Sequence, residues 1–512
     1  MWRSTFIVSA MTMLSRILGL VRDMVLLNVF GAGGLMDSFL VAFKIPNFFR
    51  RLFAEGAFSQ AFIPVLTEYK TQRAHAEVQV LISRVSGALL VILSVLTVFA
   101  MVAAPLVIGL FAPGFIGNPE QFALSVELLR LTFPYLLLMS MTAFASSILN
   151  SYGSFATAAF APVLLNVTMI AAAWWFAPYF DPSIVVLGWA VIIAGVLQLA
   201  IQIPELWKKK LLMPPKVDFK HEGVRRILTL MLPALFGVSV VQINLLLNTV
   251  WASFMQVGSV TWLYTAERLT ELPLGLIGIA IATVILPALS AKQAEANQEK
   301  FRALIDWAAK VIVLVGVPAS IAMYMLAEPI MQALFQRGEF GADDVRMSAF
   351  ALQAMSASIL TFMLIKIFAP AFYARQDTKT PVKIGLIAVG VNIVSNVLLI
   401  GLFKWMGWAA EHVALALSST LAAFVNAGML YWQLHRQGIY RFGAHWRRLA
   451  LCYGVANAAM VAALWGGLQW YSAAEDQWLR LVGLLLLCAW GGAVYAGALL
   501  ATGFRPRELR HR

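Results

Sequence analysis

The sequence predicts an all-α integral membrane protein of about fourteen transmembrane helices. Of its 512 residues, 61% are hydrophobic and 12% are charged, whereas soluble proteins average roughly 45–50% and about 25%. Apolar stretches of about 20 residues recur from end to end, and that length crosses the roughly 30 Å hydrocarbon layer of a bilayer. No polar block is large enough for a soluble domain. The whole chain is therefore predicted to be one membrane unit.

Polar breaks divide the chain into the predicted helices and set their orientation. The helices lie near residues 4–29, 35–65, 86–109, 123–148, 157–177, 183–204, 227–254, 260–289, 303–327, 345–373, 384–403, 412–434, 449–470 and 478–503. Alternate connections, beginning with the N-terminus, carry 25 Lys and Arg, and the opposite connections carry 4. Because basic residues concentrate in cytoplasmic connections, both termini are predicted to be cytoplasmic. This bias accounts for the net charge of +13, and no nucleic-acid partner is expected.

A weak internal repeat predicts two similar halves. IPVLTEYK from Ile63 and LPALSAKQ from Leu286 both place Pro, Leu, a hydroxyl residue and Lys at a cytoplasmic helix end, six helices apart. Six is even, so the copies share one orientation and form two pseudo-symmetric six-helix lobes around a central cavity. The predicted parts are the first lobe at 1–204, a basic cytoplasmic linker at 205–226, the second lobe at 227–435, and two C-terminal helices with a basic tail at 436–512.

Charged residues inside the predicted membrane segments are concentrated in the first, second and eighth helices. Facing lipid, each would cost about 3 kcal/mol, or about 30 kcal/mol together. They are therefore predicted to face water or one another. The eleven residues are Arg16, Arg22, Asp23, Asp37, Lys44, Arg50, Arg51, Glu55, Glu267, Arg268 and Glu271.

Helical spacing predicts one polar stripe on each charged helix. Arg16 and Asp23 are seven residues apart and share a face. Asp37, Lys44 and Arg51 also repeat at seven, and Glu55 follows four residues later. Asp37 and Arg51 have an alternative explanation, because a side chain near a helix end reaches the membrane surface.

Several arginines in a wet cavity are suited to an anionic substrate. A guanidinium binds phosphate oxygens bidentately and stays charged when partly desolvated. Arg16, Arg22, Arg50 and Arg268 are accordingly predicted to bind substrate. The carboxylates Asp23, Asp37, Glu55, Glu267 and Glu271 nearly balance the bases, so we expect them to hold the arginines or to pair with them when the site is empty.

The remaining charges and the reactive residues carry weaker signals. Glu127 with Arg130, and Asp306 with Lys310, have the spacing of ordinary pairs on one helix face, while Lys366 has no sequence-local partner. Cys452 and Cys488 are predicted to be packing residues. The sequence contains no HExxH, GxSxG or GxxxxGK[ST] motif, and its histidines are scattered. We therefore expect no enzyme activity, no metal site and no cofactor.

Four segments carry a resemblance to a known family. They are MTMLSRILGLVRD from Met11, DSFLVAFKIPNFFRRLFAEGAFSQAFIPVLTEYK from Asp37, ERLTELPLG from Glu267 and FYARQDTKTPVKI from Phe372. With them the sequence resembles the MurJ (MviN) lipid II flippases of the multidrug, oligosaccharidyl-lipid and polysaccharide exporter superfamily. The resemblance covers essentially the whole chain, and the long second segment is its most specific part.

The resemblance implies a fold, a substrate and a set of site residues. It implies two six-helix lobes facing a central cavity, with two further helices forming a lipid-accessible groove. It implies that lipid II, an undecaprenyl-pyrophosphate carrying a disaccharide-pentapeptide, moves from the cytoplasmic to the periplasmic leaflet by alternating access. The family's cavity arginines match Arg16, Arg22, Arg50 and Arg268, and its carboxylate near the start of the second helix matches Asp37.

Energy coupling, partners and location follow as expectations. Some relatives hold sodium with an acidic residue in the seventh helix, where this chain offers only Asn244 and Asn248. Sodium coupling is thus in doubt, and membrane potential is the expected drive. The expected partners are lipid II and membrane lipids, with cell-wall synthesis machinery as a further candidate, and the expected functional state is a monomer. The expected location is the bacterial cytoplasmic (inner) membrane.

Two other functions are compatible with the sequence. An exporter of drugs or of another polyprenyl-linked oligosaccharide shares the predicted architecture, but a drug or cation exporter would be expected to have a cavity dominated by acids. A membrane scaffold for cell-wall synthesis, without transport, would use the buried charges as structural pairs. Drug efflux and charge swaps across the pairs would distinguish these alternatives.

Overall fold

A computed structural model describes residues 2–52, 58–275, 279–295, 297–471 and 476–505. Side chains are described except at 2–9, 232–234, 236–245, 279–280 and 282–284. The predicted site residue Glu55 lies outside the described residues. The described chain is helical, and no β-strand occurs in these ranges.

The helices are numbered α1 to α21 in chain order. They are α1 (Trp2–Phe30), α2 (Gly34–Arg50), α3 (Ser59–Gln72), α4 (His75–Val102), α5 (Ala104–Phe111), α6 (Pro119–Thr132), α7 (Tyr135–Ser151), α8 (Ala156–Ala171), α9 (Val185–Ala200), α10 (Ile203–Lys208), α11 (Glu222–Ser253), α12 (Ser259–Pro273), α13 (Ile279–Ala294), α14 (Gln298–Met325), α15 (Ala327–Phe335), α16 (Ala342–Ser356), α17 (Ser358–Tyr373), α18 (Lys379–Trp405), α19 (Val413–Arg436), α20 (His445–Trp470) and α21 (Gln477–Ala501).

Ten helical segments in the described ranges are long and apolar enough to span a membrane. They correspond to ten of the predicted helices. The other four predicted segments, at 4–29, 35–65, 227–254 and 260–289, are also helical where they are described. Three of these four carry the charged residues. The predicted all-α membrane fold is therefore confirmed, although several predicted helices are each described as two helices, among them α2 with α3, α6 with α7, α12 with α13 and α16 with α17.

A proline inside α2 is accommodated by a hydroxyl from another helix. Pro46 has no N–H, so it leaves the carbonyl of Ala42, four residues earlier, without its helical donor. The hydroxyl of Thr132, at the end of α6, donates to that carbonyl at 3.1 Å. Thr132 is fully buried. This bond supplies the partner that a helix in an apolar environment requires at a proline.

Replacing Thr132 by valine is expected to lower the stability of the detergent-solubilised protein by about 1 kcal/mol, because a buried carbonyl loses its donor. The measurement is the thermal unfolding midpoint. Thr142→Val is the matched control, because the buried Thr142 hydroxyl donates within its own helix, to the carbonyl of Leu138 at 2.8 Å. Equal midpoints for the two variants would contradict this role of Thr132.

The described helices form two compact units. The first comprises Met1–Thr261 with Arg337–Phe340, and the second comprises Trp262–Gln336 with Gly341–Arg512. The first unit contains α11, whereas the sequence places the division between lobes at 205–226. The physical reason is apolar packing, since Val224 and Ile227 of α11 are buried with Phe62 and Leu81. The predicted repeat of two lobes stays a prediction.

The predicted linker contacts α4 of the first unit. The short helix α10 ends within it, and the segment that follows is hydrogen-bonded to α4. The Ser83 hydroxyl donates to the carbonyl of Pro214 at 2.6 Å, and the Lys216 amide donates to the carbonyl of Ser83 at 2.9 Å. Gly87 permits this approach, because a Cβ there would overlap the backbone of Lys216.

The second unit has its main core between α13, α14, α17 and α19. Ile312, Met363, Ile367 and Leu434 are fully buried in it. The helices α20 and α21 pack against α14 and α15 through a smaller cluster that includes Met460 and Leu464. The two C-terminal helices therefore belong to the second compact unit.

Candidate functional site

Arg22 lies in the first unit at the centre of a buried polar cluster. It is 8% exposed and the neighbouring Asp23 is 3% exposed. Its Nη2 and Nε donate to Oδ1 of Asp23 at 2.6 and 3.0 Å. Its Nη1 donates to Oδ1 of Asn166 on α8 at 3.2 Å, and the Asn166 amide donates to the carbonyl of Ser15 at 3.0 Å. The guanidinium is thus held in a fixed orientation inside the protein.

The other basic residues of α1 and α2 are more accessible. Arg16, Lys44 and Arg50 are partly buried, and Arg51 is exposed. The Nε of Arg50 donates to Oδ1 of Asn47 at 3.1 Å, and the Asn47 amide donates to the carbonyl of Phe43 at 2.9 Å. Arg50 is therefore oriented by its own helix.

Asp37 is buried, so it is not a surface carboxylate. The residue is only 2% exposed. Oδ2 accepts from the amide of Gly258 at 2.7 Å. Oδ1 accepts from the amide of Thr261 at 2.9 Å and from its hydroxyl at 2.6 Å. Because helix N-termini expose unsatisfied N–H groups and a partial positive charge, Asp37 of α2 caps the start of α12.

Gly258 supplies one of these donors from a backbone conformation that favours glycine. Its φ is +98°, a region that L side chains rarely adopt. A side chain at position 258 would strain the turn before α12. The capping contact thus depends on a carboxylate and on a glycine 221 residues later in the chain.

The second unit contains Arg268 with its two neighbouring acids. Arg268 and Glu267 are partly buried, and Glu271 is exposed. Nη1 of Arg268 lies 3.5 Å from Oε2 of Glu271, one helical turn further along α12. Since the pair is partly exposed, its net contribution to stability is small.

The weaker predictions have mixed outcomes. Asp306 and Lys310 form the predicted pair, at 2.7 Å. Arg130 donates to the carbonyl of Met101 at 3.2 Å, and Lys366 is exposed. In α11, Asn248 is buried, and the side chain of Asn244 lies outside the described residues. No group of three His, Cys, Asp or Glu is placed to hold a metal ion within the described part of the chain.

An apolar groove lies between α14, α20 and α21 in the second unit. Its volume is about 470 Å³. Its lining includes Pro318, Ala322, Leu464, Gly491, Gly492 and Leu499. Gly491 lets α21 pack closely on α20, since a Cβ there would lie 2.7 Å from Leu464, whereas a Cβ at Gly492 meets nothing within 4 Å. A flexible hydrocarbon chain matches such a groove in size and polarity.

Sequence reasoning did not assign a role to Asn166, Gly258 or Thr261. An uncharged amide in an apolar helix is a signal for Asn166, because polar groups in membrane helices require partners. Gly258 and Thr261 contribute backbone amides, which leave no mark in the sequence, and the Thr261 hydroxyl adds a third bond to Asp37. The described residues therefore include a buried guanidinium, hydrogen-bonded carboxylates and an apolar groove.

Comparison with known proteins identifies relatives over nearly the full length. Residues 26–485 match the family described as lipid II flippase MurJ. The chain is 44% identical to a probable lipid II flippase MurJ of Vibrio cholerae, covering 99% of this chain and 97% of the relative. It is 39% identical to a lipid II flippase MurJ of Burkholderia cenocepacia, covering 100% and 99% of the two chains.

Solved structures show the same fold. A structure titled lipid II flippase MurJ, inward closed conformation, superposes with a TM-score of 0.80 at 24% identity, covering 99% of this chain and 100% of the other. An inward-facing multidrug resistance transporter of the MATE family superposes with a TM-score of 0.64 at 18% identity, covering 85% and 98%.

Proposed function

Because the chain belongs to the MurJ lipid II flippase family, we propose that it moves lipid II from the cytoplasmic to the periplasmic leaflet for peptidoglycan synthesis. Lipid II joins an anionic diphosphate to a long polyprenyl tail and a polar sugar-peptide. A carrier for it needs cationic groups for the diphosphate and an apolar surface for the tail. The buried Arg22 is the observation that carries the proposal, since a guanidinium inside a membrane protein needs an anionic partner, and a diphosphate can take the place of its partner Asp23.

The diphosphate is bound by Arg16, Arg22, Arg50 and Arg268. Arg22 and Arg268 both contact a carboxylate in this structure, Asp23 at 2.6 Å and Glu271 at 3.5 Å. A diphosphate offers more acceptor oxygens than one carboxylate and suits the fork of a guanidinium. Arg22 and Arg268 therefore each pair with a carboxylate when no substrate is bound and with the diphosphate when it is bound. Glu267, Lys44 and Arg51 are proposed to set the charge around these four arginines.

Movement of the bound headgroup occurs by alternating access, and membrane potential drives it. A charge that crosses the membrane couples to the potential at about 2.3 kcal/mol per 100 mV. Sodium coupling is not proposed, because α11 carries Asn244 and Asn248 where some relatives have an acid. The protein works as a monomer in the inner membrane with both termini in the cytoplasm, and cell-wall synthesis enzymes are its proposed neighbours.

An Arg268→Ala variant is expected not to restore growth of a flippase-depleted strain, because it lacks a guanidinium that binds the diphosphate. Growth on a plasmid copy is the readout, with membrane insertion checked by immunoblot. Arg130→Ala is the matched control, since Arg130 is an exposed arginine bonded to the carbonyl of Met101. Normal growth with Arg268→Ala would contradict the role of Arg268. Drug efflux without growth support would favour the exporter alternative.

The polyprenyl tail lies in the groove between α14, α20 and α21. Gly492→Phe is expected to weaken lipid II binding about tenfold, because displacing even two CH₂ groups loses ~1.6 kcal/mol. Binding is measured with purified protein in nanodiscs. Gly497→Phe is the control, since Gly497 lies on the same helix, has open space around its Cβ and does not line the groove. Equal affinity for the two variants would place the tail elsewhere.

A further inference from the structure

A second cavity in the second unit lies where α14 begins, α19 ends and α20 begins. Its volume is about 550 Å³, within the usual range for a ligand site. We call it the basic pocket. The residues that matter for its chemistry are Arg302, Asp306, His435, Tyr440, Arg441 and His445. It is separate from the apolar groove, with which it shares no lining residue.

The wall of the basic pocket is cationic and accessible. Arg302, His435, Arg441 and His445 are exposed side chains. Nη2 of Arg302 donates to the carbonyl of Gly438 at 2.6 Å, which fixes the guanidinium at the rim. A guanidinium has five N–H donors, so this bond leaves others to point at an anion.

Asp306, the acid at the base of the pocket, already has donors at both of its carboxylate oxygens. Asp306 accepts from Trp446 Nε1 at 2.7 Å and Tyr440 OH at 3.0 Å, and it pairs with Lys310 at 2.7 Å. His445 Nε2 lies 3.0 Å from its other oxygen. Burial raises the pKa of the Tyr440 hydroxyl, and Asp306 raises it further, so the hydroxyl keeps its proton and donates. Lys310 and these donors offset the negative charge of Asp306. The carboxylate therefore orders the loop and does not repel an anion.

The residues around the basic pocket are of the types that occur at a membrane–water interface. Trp432 and Phe442 are 54% and 40% exposed at this end of the unit. The guanidinium of Arg436 lies over the ring of Trp432, at 5.4 Å. Exposed aromatic residues beside Arg are typical of the headgroup region, and basic pockets between helices at that depth bind lipid phosphates.

We propose that the basic pocket binds a phosphate group through Arg302 and Arg441. A phospholipid headgroup and free inorganic phosphate both carry this group, and the position beside exposed aromatic residues makes both accessible to the pocket. The proposal is independent of lipid II transport, because it concerns a cavity that holds none of the four proposed substrate arginines.

The test is hydrogen exchange of residues 437–444 in the full-length protein in a maltoside detergent, which carries no phosphate. Three conditions are compared: detergent alone, detergent with phosphatidylglycerol, and detergent with inorganic phosphate. A bound phosphate is expected to slow exchange in this loop about tenfold, since charge-assisted hydrogen bonds order it. Protection by phosphatidylglycerol alone identifies a headgroup, and protection by inorganic phosphate identifies the free ion. No protection in either condition would overturn the proposal.

Variants distinguish a specific phosphate site from general electrostatic attraction to nearby basic residues. Arg302→Gln with Arg441→Gln is expected to reduce the protection to less than about twofold. The control is Arg436→Gln with Arg447→Gln, which removes the same charge nearby from residues that do not line the pocket. Arg441→Gln alone keeps the bond from Arg302 to Gly438 and is expected to lose part of the protection. Equal protection in the double variant and its control would also overturn the proposal.

Discussion

Arg22→Ala is expected to abolish growth of a flippase-depleted strain and to lower the stability of the protein strongly. The Arg22 guanidinium is nearly buried and pairs with Asp23 at 2.6 Å. Breaking a buried pair costs about 3–5 kcal/mol, because the remaining charge stays desolvated. The measurements are growth on a plasmid copy and the thermal unfolding midpoint in detergent.

Two further variants separate the binding role of Arg22 from its structural role. Arg22→Ala with Asp23→Asn removes both charges, so stability is expected to recover in large part while growth stays absent. Exchanging the pair, Arg22→Asp with Asp23→Arg, keeps the net charge but moves the guanidinium away from Asn166 and is expected to fail in growth. Growth with either double variant would show that the pair is structural and would favour a scaffold.

Asp37→Asn is expected to give the second large loss. The carboxylate accepts three hydrogen bonds from Gly258 and Thr261. An asparagine offers one acceptor oxygen and turns an NH₂ group toward N–H donors. Bonds to a charged group are worth about 1.5–3 kcal/mol, so we expect a loss of about 2 kcal/mol in stability. Arg268 lies on the same helix as Thr261, so loosening the first turn of α12 is also expected to abolish growth.

The control for Asp37 is Thr261→Val. This variant removes the hydroxyl bond of 2.6 Å but keeps both amide bonds to the carboxylate. We expect a smaller fall in the unfolding midpoint and retained growth. If Asp37→Asn and Thr261→Val were indistinguishable, or if Asp37→Asn grew normally, the capping role assigned to the carboxylate would be wrong.

The fold could be predicted from sequence because its dominant signal is local. A segment of about 20 apolar residues is helical in a membrane whatever lies next to it, since its backbone groups must bond within the segment. The charged residues of α1, α2 and α12 were recognisable for the same reason, as costly exceptions. Arg22 and Asp37 were selected in this way, and both are buried.

The partners of these residues were not predictable, because they depend on contacts distant in the chain. Spacing predicts that Asp23 shares a face with Arg16, and the structure shows an ion pair between Asp23 and the adjacent Arg22. Asn166 is 144 residues from Arg22, and its amide carries no charge signal. The contact of the 205–226 linker with α4 was not predictable either, since nothing in its composition reveals the hydrogen bonds with Ser83 or the close approach at Gly87.

The central claim is that the guanidiniums carry the lipid diphosphate from one leaflet to the other. A leaflet-accessibility assay of lipid II in cells depleted of this protein tests it most directly. With the wild-type chain restored, lipid II is expected to become accessible to a periplasmic probe, whereas cells with Arg22→Ala and Asp23→Asn are expected to retain it in the inner leaflet. Equal periplasmic accessibility with and without the protein would contradict the account.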